Sequence, residues 1–528
     1  MATRELRLSC KPLQDASLIQ KQRNSHILRK LWQKQVTFPD SLNGSETSPT
    51  IIDGFHGETH ITPDVWNKLM DYQQQIYATN AACDPFATKY SKASTGSKEL
   101  KTLCAQKLSS RLSQPHESIP GVSVSVDEVL CSFGSSTDLL DAALLSITLA
   151  YVAKCGFQNG YILMPEGGYK NNARHHQKVT KIVAGFGLKV SIIPFPVAHE
   201  NDMKVDASLV IPILHEIGDR LIGWHFTNPG NPFISPQTPQ QMQEWADTIV
   251  RANRPFVVDA MFTEMLQPED HIPLMAMTSE VNGYQQDLAE LGMMIGGTSK
   301  DYQMHAWPVY KTAYLYTKSS ELRESVANQI TASFQRQMTH GALIVLNQTR
   351  AEFFAENRQL MTTQQEKAQQ ILNEINTHFD EPVFAWLGNE TKQGMFGCLQ
   401  LTPSAAAQAG VKNSQDLADL LLAGAGVESV PLTSTGLGVF KADEYLGIKR
   451  DPLAVRLNLI SPRIETPNNQ SVGIKSPDNL EKMMNRTAAL MQNIIKRDRT
   501  LDSYLADIGL ERQQFLLADI NQVLQIGG

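Results

Sequence analysis

Met293-Met294-Ile295-Gly296-Gly297-Thr298-Ser299-Lys300 is an apolar run that empties into two glycines, two hydroxyls and one lysine. That order puts a primary amine at the carboxyl end of a strand, with small hydrogen-bonding groups beside it. A lysine presented this way can form a Schiff base with an aldehyde cofactor. Thr-Ser-Lys alone fits a solvated lysine after a strand equally well, so the rest of the chain has to decide.

Around this stretch, from about residue 65 to 317, short apolar runs alternate with helical patterns; the runs cover 126–133, 161–164, 190–195, 221–226, 255–258, 291–296 and 312–316. Strands alternating with helices predict an α/β fold with a mostly parallel sheet covered by helices on both faces. Residues 340–379 read as one long helix or a broken pair, and 396–401, 427–430 and 455–459 as strands of a smaller α+β unit. Residues 14–36 form a polar helical stretch, and 37–63 a loop rich in Ser, Thr, Pro and Gly. The C-terminal stretch has amphipathic spacing at Leu480, Met483, Met484, Ala488, Met491, Ile494 and Ile495. The expected organisation is an N-terminal arm with part of the small domain (1–61), a large domain (62–340) and a small C-terminal domain with a helical extension (341–528).

At 528 residues and 42% hydrophobic content the chain can bury a large core. Its net charge is −7, and its Lys and Arg are scattered, which argues against a nucleic-acid surface. Six cysteines lie far apart with no C-x-x-C pair, which suits buried free thiols in a reducing compartment rather than a disulfide framework or zinc. Charges in Met1–Leu6 stand where a secretory signal needs an apolar core. The most apolar run, 139–152, contains Asp141 and is too short to span a bilayer. These features predict a cytoplasmic protein with no membrane or metal partner.

Three further segments carry chemistry. Cys131-Ser132-Phe133-Gly134-Ser135-Ser136-Thr137 is a strand, a glycine turn and three hydroxyls before an apolar helix. Free N–H groups at that helix start, with Ser135, Ser136 and Thr137, make a seat for a phosphate; ordinary N-capping is the plainer reading. Thr227-Asn228-Pro229-Gly230-Asn231-Pro232 follows another strand, and its two Asn-Pro steps force an extended, turning backbone from which Asn can reach a ligand oxygen, or simply make a turn. Phe256-Val257-Val258-Asp259 ends a buried strand on a carboxylate, which needs a partner. That partner can be a salt bridge, a helix cap or a protonated pyridine nitrogen.

Together these segments resemble the fold-type I pyridoxal-phosphate enzymes, the aspartate aminotransferase superfamily, over about residues 51 to 463. Asp53-Gly54-Phe55-His56-Gly57 and the residues up to Asp64 look like that family's entry motif, which implies Gly57 near the substrate carboxylate. Tyr90 with Gly96 resembles the segment whose tyrosine reaches the cofactor phosphate of the neighbouring subunit, implying a homodimer with shared active sites. The resemblance also implies Ser135, Ser136 and Thr137 at the phosphate, Asn231 at the phenolic oxygen, Asp259 at the pyridine nitrogen and Lys300 as the Schiff-base lysine, with Thr298 and Ser299 beside it also binding the cofactor. Gly426-Val427-Glu428-Ser429-Val430-Pro431 and Val455-Arg456-Leu457-Asn458 match later elements, placing the carboxylate-binding arginine at Arg456.

The sequence departs from the family pattern in three places. Phe262 stands where a tyrosine usually donates to the phenolic oxygen. Pro308 occupies the position of an expected arginine, leaving Lys311, after a short insertion, as the phosphate cation. No aromatic follows Pro165-Glu166-Gly167-Gly168 at the usual offset, so Tyr169 is the candidate to stack on the ring; His175 and His176 are poorer candidates and read as surface residues. The implied activity is a pyridoxal-phosphate enzyme of amino acid metabolism or biosynthesis acting at Cα of an L-amino acid. An aminotransferase is expected first. The alternatives are a lyase or an elimination or replacement enzyme, for example on S-adenosylmethionine, or else a non-catalytic binding protein on the same scaffold.

Overall fold

The computed structural model describes residues 16–38, 49–59, 67, 70–71, 74, 94–113, 119, 121–133, 136–198, 201–281, 283–304, 310–330, 336–349, 351–388, 390–435, 452–469 and 473–512. The chain divides into two compact units. One holds Met1–Leu13, Glu58–Thr362 and Gly388–Gly394; the other holds Gln14–Gly57, Thr363–Leu387 and Met395–Gly528. Residue 340, the expected boundary, lies inside helix Arg336–Gln348, and the division falls instead within the next helix, Ala351–Asn376.

The first unit is built on a seven-stranded sheet: β1 (Val129–Phe133), β2 (Asn159–Pro165), β3 (Lys189–Phe195), β4 (Leu221–Thr227), β5 (Phe256–Asp259), β6 (Gly292–Gly297) and β7 (Thr312–Tyr316). Its order is β1-β7-β6-β5-β4-β2-β3, and only β7 runs antiparallel to its neighbours. Every residue of β5, β6 and β7 is buried, so both faces are covered, and these strands read as unbroken apolar runs rather than alternating ones. Helix Ser136–Cys155 packs Leu139, Leu140, Ala143, Leu144 and Ile147 into the core beside Val257, Ile295 and Leu315.

Gly296 and Gly297 are required by the antiparallel β6–β7 pair. A Cβ at Gly296 lies 2.5 Å from Tyr314 Cε2, and one at Gly297 lies 2.7 Å from the Thr312 carbonyl oxygen. Helix starts are marked by the sequence: Ser97 caps Lys98–Leu112, and Thr238 with Gln241 forms a capping box before Pro239–Ala252.

The second unit contains two four-stranded sheets. One joins Val427–Glu428, Ile51–Asp53, Arg463–Glu465 and Ile474–Lys475 in that order; the other joins Phe384–Trp386, Phe396–Leu401, Ala454–Asn458 and Val430–Pro431. Its core gathers Ile27 and Leu31 of helix Ala16–Gln33, Leu372 and Ile375, and Met483, Met484 and Met491 of helix Asn479–Arg497. Ile495, expected on the buried face of that last helix, is exposed.

Candidate active site

Asp259 and Lys300 issue from the same end of adjacent parallel strands. Asp259, the last residue of β5, lies opposite Ile295 of β6, and Ala260 N donates to the Ile295 carbonyl at 2.8 Å. β6 then runs through its two glycines into the turn that carries Lys300. That turn is closed by Gln303 N donating to the Lys300 carbonyl and Met304 N to the Thr298 carbonyl, each at 3.0 Å. Thr298 is fully buried. Its hydroxyl donates to the Tyr310 carbonyl at 3.0 Å and accepts from Thr312 N at 2.9 Å, stapling β6 to β7. That hydroxyl shapes the turn, and Ser299 is the other hydroxyl beside the lysine.

The Asp259 carboxyl is buried, and its Oδ1 has no hydrogen-bond partner among the described residues. Burial raises it from 3.8 to about 6, with the charge of His175 pulling the other way. The turn after β4 lies alongside: Thr227 is opposite Asp259, and Asn228 N donates to the Asp259 carbonyl at 3.1 Å. Asn231 on that turn is buried, and both Asn-Pro peptides are cis. Phe262, three residues past Asp259, is buried and precedes a short 3-10 helix, Thr263–Met265.

Lys311 and the start of helix Ser136–Cys155 lie at the same end of the sheet. β7 pairs Thr312 with Phe133, so Lys311, just before β7, sits where β1 ends and helix Ser136–Cys155 begins. Burial holds the Lys311 amine below its usual value, opposed by the charge of Asp138 in the first helical turn. Ser136 is half-buried and Thr137 exposed at that helix start. Ser135, Tyr90 and Pro308 lie outside the described residues.

The two histidines read as surface residues are buried. His175 Nδ1 lies 2.8 Å from Asp141 Oδ1, and Lys178 reaches the other oxygen at 2.6 Å. Burial works against ionised Asp141, but these two bonds outweigh it and hold the carboxyl below its usual range. His176 Nε2 lies 2.9 Å from His225 Nδ1 of β4; burial keeps both rings low, His225 at about 3. Asp141 and His175 sit on two different helices, so no local pattern could announce the pair. Tyr169 is half-buried, and its hydroxyl accepts from Asn171 Nδ2 at 2.5 Å.

In the second unit, Arg456 and Gly57 are tied to one segment. Phe55 N and His56 N donate to Asp53 Oδ1 at 2.8 and 3.1 Å, curling the chain ahead of Gly57. Arg456 Nη2 donates to the Phe55 carbonyl at 2.6 Å, and Asn458 Nδ2 to the His56 carbonyl at 2.9 Å. The Arg456 guanidinium also lies over the Phe396 ring, 4.2 Å from its centroid. Arg463, missed in the sequence, meets Asp53 at 2.6 Å and Glu465 at 2.7 Å.

The residues of the first unit suit pyridoxal phosphate. Unpartnered Asp259 Oδ1 matches a cationic ring N–H, the Ser136 helix start with Lys311 matches the phosphate, and Lys300 matches the aldehyde. Among the described residues no group of His, Cys, Asp and Glu could hold a metal ion, and no helix is long and apolar enough to cross a membrane.

Residues 172–444 match the family model described as aminotransferase class I and II. Among solved structures, a single mutant of Thermus thermophilus aspartate aminotransferase is similar at TM-score 0.63 and 14% identity, covering 90% of this chain and 96% of that one. Thermotoga maritima aspartate aminotransferase gives 0.60 and 12%, with 90% and 96% covered. N-succinyldiaminopimelate aminotransferase from Mycobacterium tuberculosis gives 0.59 and 17%, with 83% and 93% covered. At these identities the likeness establishes the fold. No curated protein matches the chain.

Proposed function

Because the chain belongs to the class I and II aminotransferase family, whose members use pyridoxal phosphate, we propose that it moves the amino group of an L-amino acid through Lys300. The observation that carries this reading is the buried, unpartnered Asp259 Oδ1 on the strand beside the one that delivers Lys300.

Bound pyridoxal phosphate supplies an aldehyde carbon and an electron-withdrawing ring. Lys300 Nζ would hold the group by its aldehyde and, with substrate seated, would serve as general base for the Cα proton. Asp259 would keep a proton on the ring nitrogen. Ser135, Ser136, Thr137 and Ser299 would supply hydroxyls to the phosphate, with Lys311 as its point charge. Asn231 would donate to the phenolic oxygen and Tyr169 would stack on the ring, while Phe262 has no group with which to donate. On the family resemblance, Arg456 and Gly57 are the candidates for the substrate carboxylate, for which a guanidinium fork is suited. The working form is a homodimer in the cytoplasm, with Tyr90 of each copy reaching the other's phosphate.

Purified protein is expected to be yellow, with borohydride fixing the cofactor on Lys300 and Lys300→Ala folding normally but turning nothing over. Amino acid alone should leave an aminated cofactor on the protein until a keto acid is added. Consumption of amino acid without that aminated cofactor sinks transamination in favour of elimination. Colourless protein that takes up no pyridoxal phosphate sinks both.

A further inference from the structure

Asp301, the residue after Lys300, is only 4% exposed, and none of the roles above uses it. Its Oδ2 accepts from Thr263 Oγ1 at 2.7 Å and its Oδ1 from Glu264 N at 3.0 Å. Both donors belong to the short helix Thr263–Met265, which follows Phe262 and so continues the chain leaving Asp259. That helix is itself pinned. Glu264 meets Arg111 at 3.4 Å and Arg358 at 3.8 Å, and Arg111 also donates to the Thr263 carbonyl. One side chain thus bridges the turn carrying Lys300 and the turn descending from Asp259.

We propose that Asp301 is a positioning residue whose carboxyl locks the Lys300 turn to the Phe262–Glu264 turn, fixing where the lysine amine stands relative to the cofactor. The inference rests on Lys300 being the cofactor's lysine. The physical need is plain. Asp259 is set by the strand ladder, but Lys300 lies past the end of β6 on a turn, and a lysine side chain is flexible. A cofactor gripped by several groups tolerates little drift in any of them, since misplacement by about 1 Å costs about a hundredfold in rate. Burial, with Glu264 adding to it, pushes the Asp301 carboxyl up, so the bridge does not depend on a full charge. An asparagine offers an acceptor to Glu264 N and a donor to the Thr263 hydroxyl, and should therefore serve in its place.

The test uses the full chain loaded with pyridoxal phosphate, comparing the parent with Asp301→Ala, Asp301→Asn and Thr263→Val. The readouts are the pH midpoint of the cofactor's visible absorbance, and kcat and KM for the amino acid. Asp301→Ala should move the midpoint by about half a pH unit or more and lower kcat about tenfold or more with little change in KM. Asp301→Asn should restore both, and Thr263→Val should fall between.

A parental midpoint and kcat in Asp301→Ala overturn the proposal. So does an Asp301→Asn as impaired as the alanine variant, which would mean that charge matters and not the bridge. If Asp301→Ala fails to fold, Thr263→Val decides: an unmoved midpoint there overturns the proposal, and a moved one beside a parental Asp301→Asn supports it. A parent that binds no pyridoxal phosphate sinks the Lys300 reading and this one with it, and is told apart by its lack of colour.

Discussion

Burial that lifts Asp259 from 3.8 to about 6 disfavours its ionisation by roughly 3 kcal/mol in the cofactor-free protein. Below pH 3.8 the carboxyl is protonated in the folded and unfolded chains alike. Between 3.8 and about 6 only the folded chain still holds the proton, so stability falls as pH rises, and above about 6 the whole penalty applies. Asp259→Asn should therefore stabilise the cofactor-free protein at pH 7 to 8, by up to roughly 3 kcal/mol, and flatten this slope. Thermal unfolding across pH measures both. The same variant should lose turnover by at least about a hundredfold, because a neutral amide does not hold the proton on the ring nitrogen. Phe262→Tyr should lower the pH midpoint of the cofactor's visible absorbance, since a new hydroxyl can donate to the phenolic oxygen. An unmoved midpoint would show that position 262 does not face that oxygen. Asp259 and Lys300 stood out because each is the first charge after a buried apolar run. Asp301 was not legible, because its meaning lies in partners on a distant turn.

Gly296 illustrates why elements were easier to read than their arrangement. Replacing it with alanine drives a methyl into the Tyr314 ring, and overpacking of this kind should destabilise the fold by about 1–3 kcal/mol. Chemical denaturation of Gly296→Ala checks this, and a parental midpoint would mean that the β6–β7 pair gives way easily. The seven apolar runs foretold the seven strands because a sheet covered on both faces needs uninterrupted hydrophobic segments. The reversal of β7 could not be foretold, since 312–316 is as apolar in one direction as the other. Nor could the Thr298 staple, whose acceptors at Tyr310 and Thr312 become its neighbours only through that reversal. His175 and His176 were misread for a related reason: their partners Asp141 and His225 arrive from another helix and from a strand.

For the whole molecule, the proposed sharing of sites between two copies makes a sharp prediction. Co-expressed Lys300→Ala and Tyr90→Phe chains should recover about a quarter or more of parental activity although each alone is impaired, since one of the two sites in a mixed dimer is then intact. Activity no greater than the sum of the separate variants would rule sharing out. Acid should weaken the cofactor-free fold. Burial keeps His176, His225 and His271 low, so as pH drops below 6.5 the unfolded chain takes up protons that the folded one refuses, and stability declines. Unfolding midpoints that stay level from pH 6.5 to 4.5 would contradict this, after allowance for the opposite slope of Asp259.

The interleaving of the two units along the chain also bears on how the protein is made. Gln393 caps Gln267 N at 2.7 Å, and Glu390 N reaches Asp202 at 3.0 Å, so the larger unit lacks a piece until residue 394 has left the ribosome. Ile27 and Leu31 wait longer still, because the cluster that shelters them includes Met491 and Leu501. A nascent polypeptide carrying those greasy side chains uncovered through most of translation is a natural client for a holdase, and heterologous yield should depend on chaperone supply more than on codon choice.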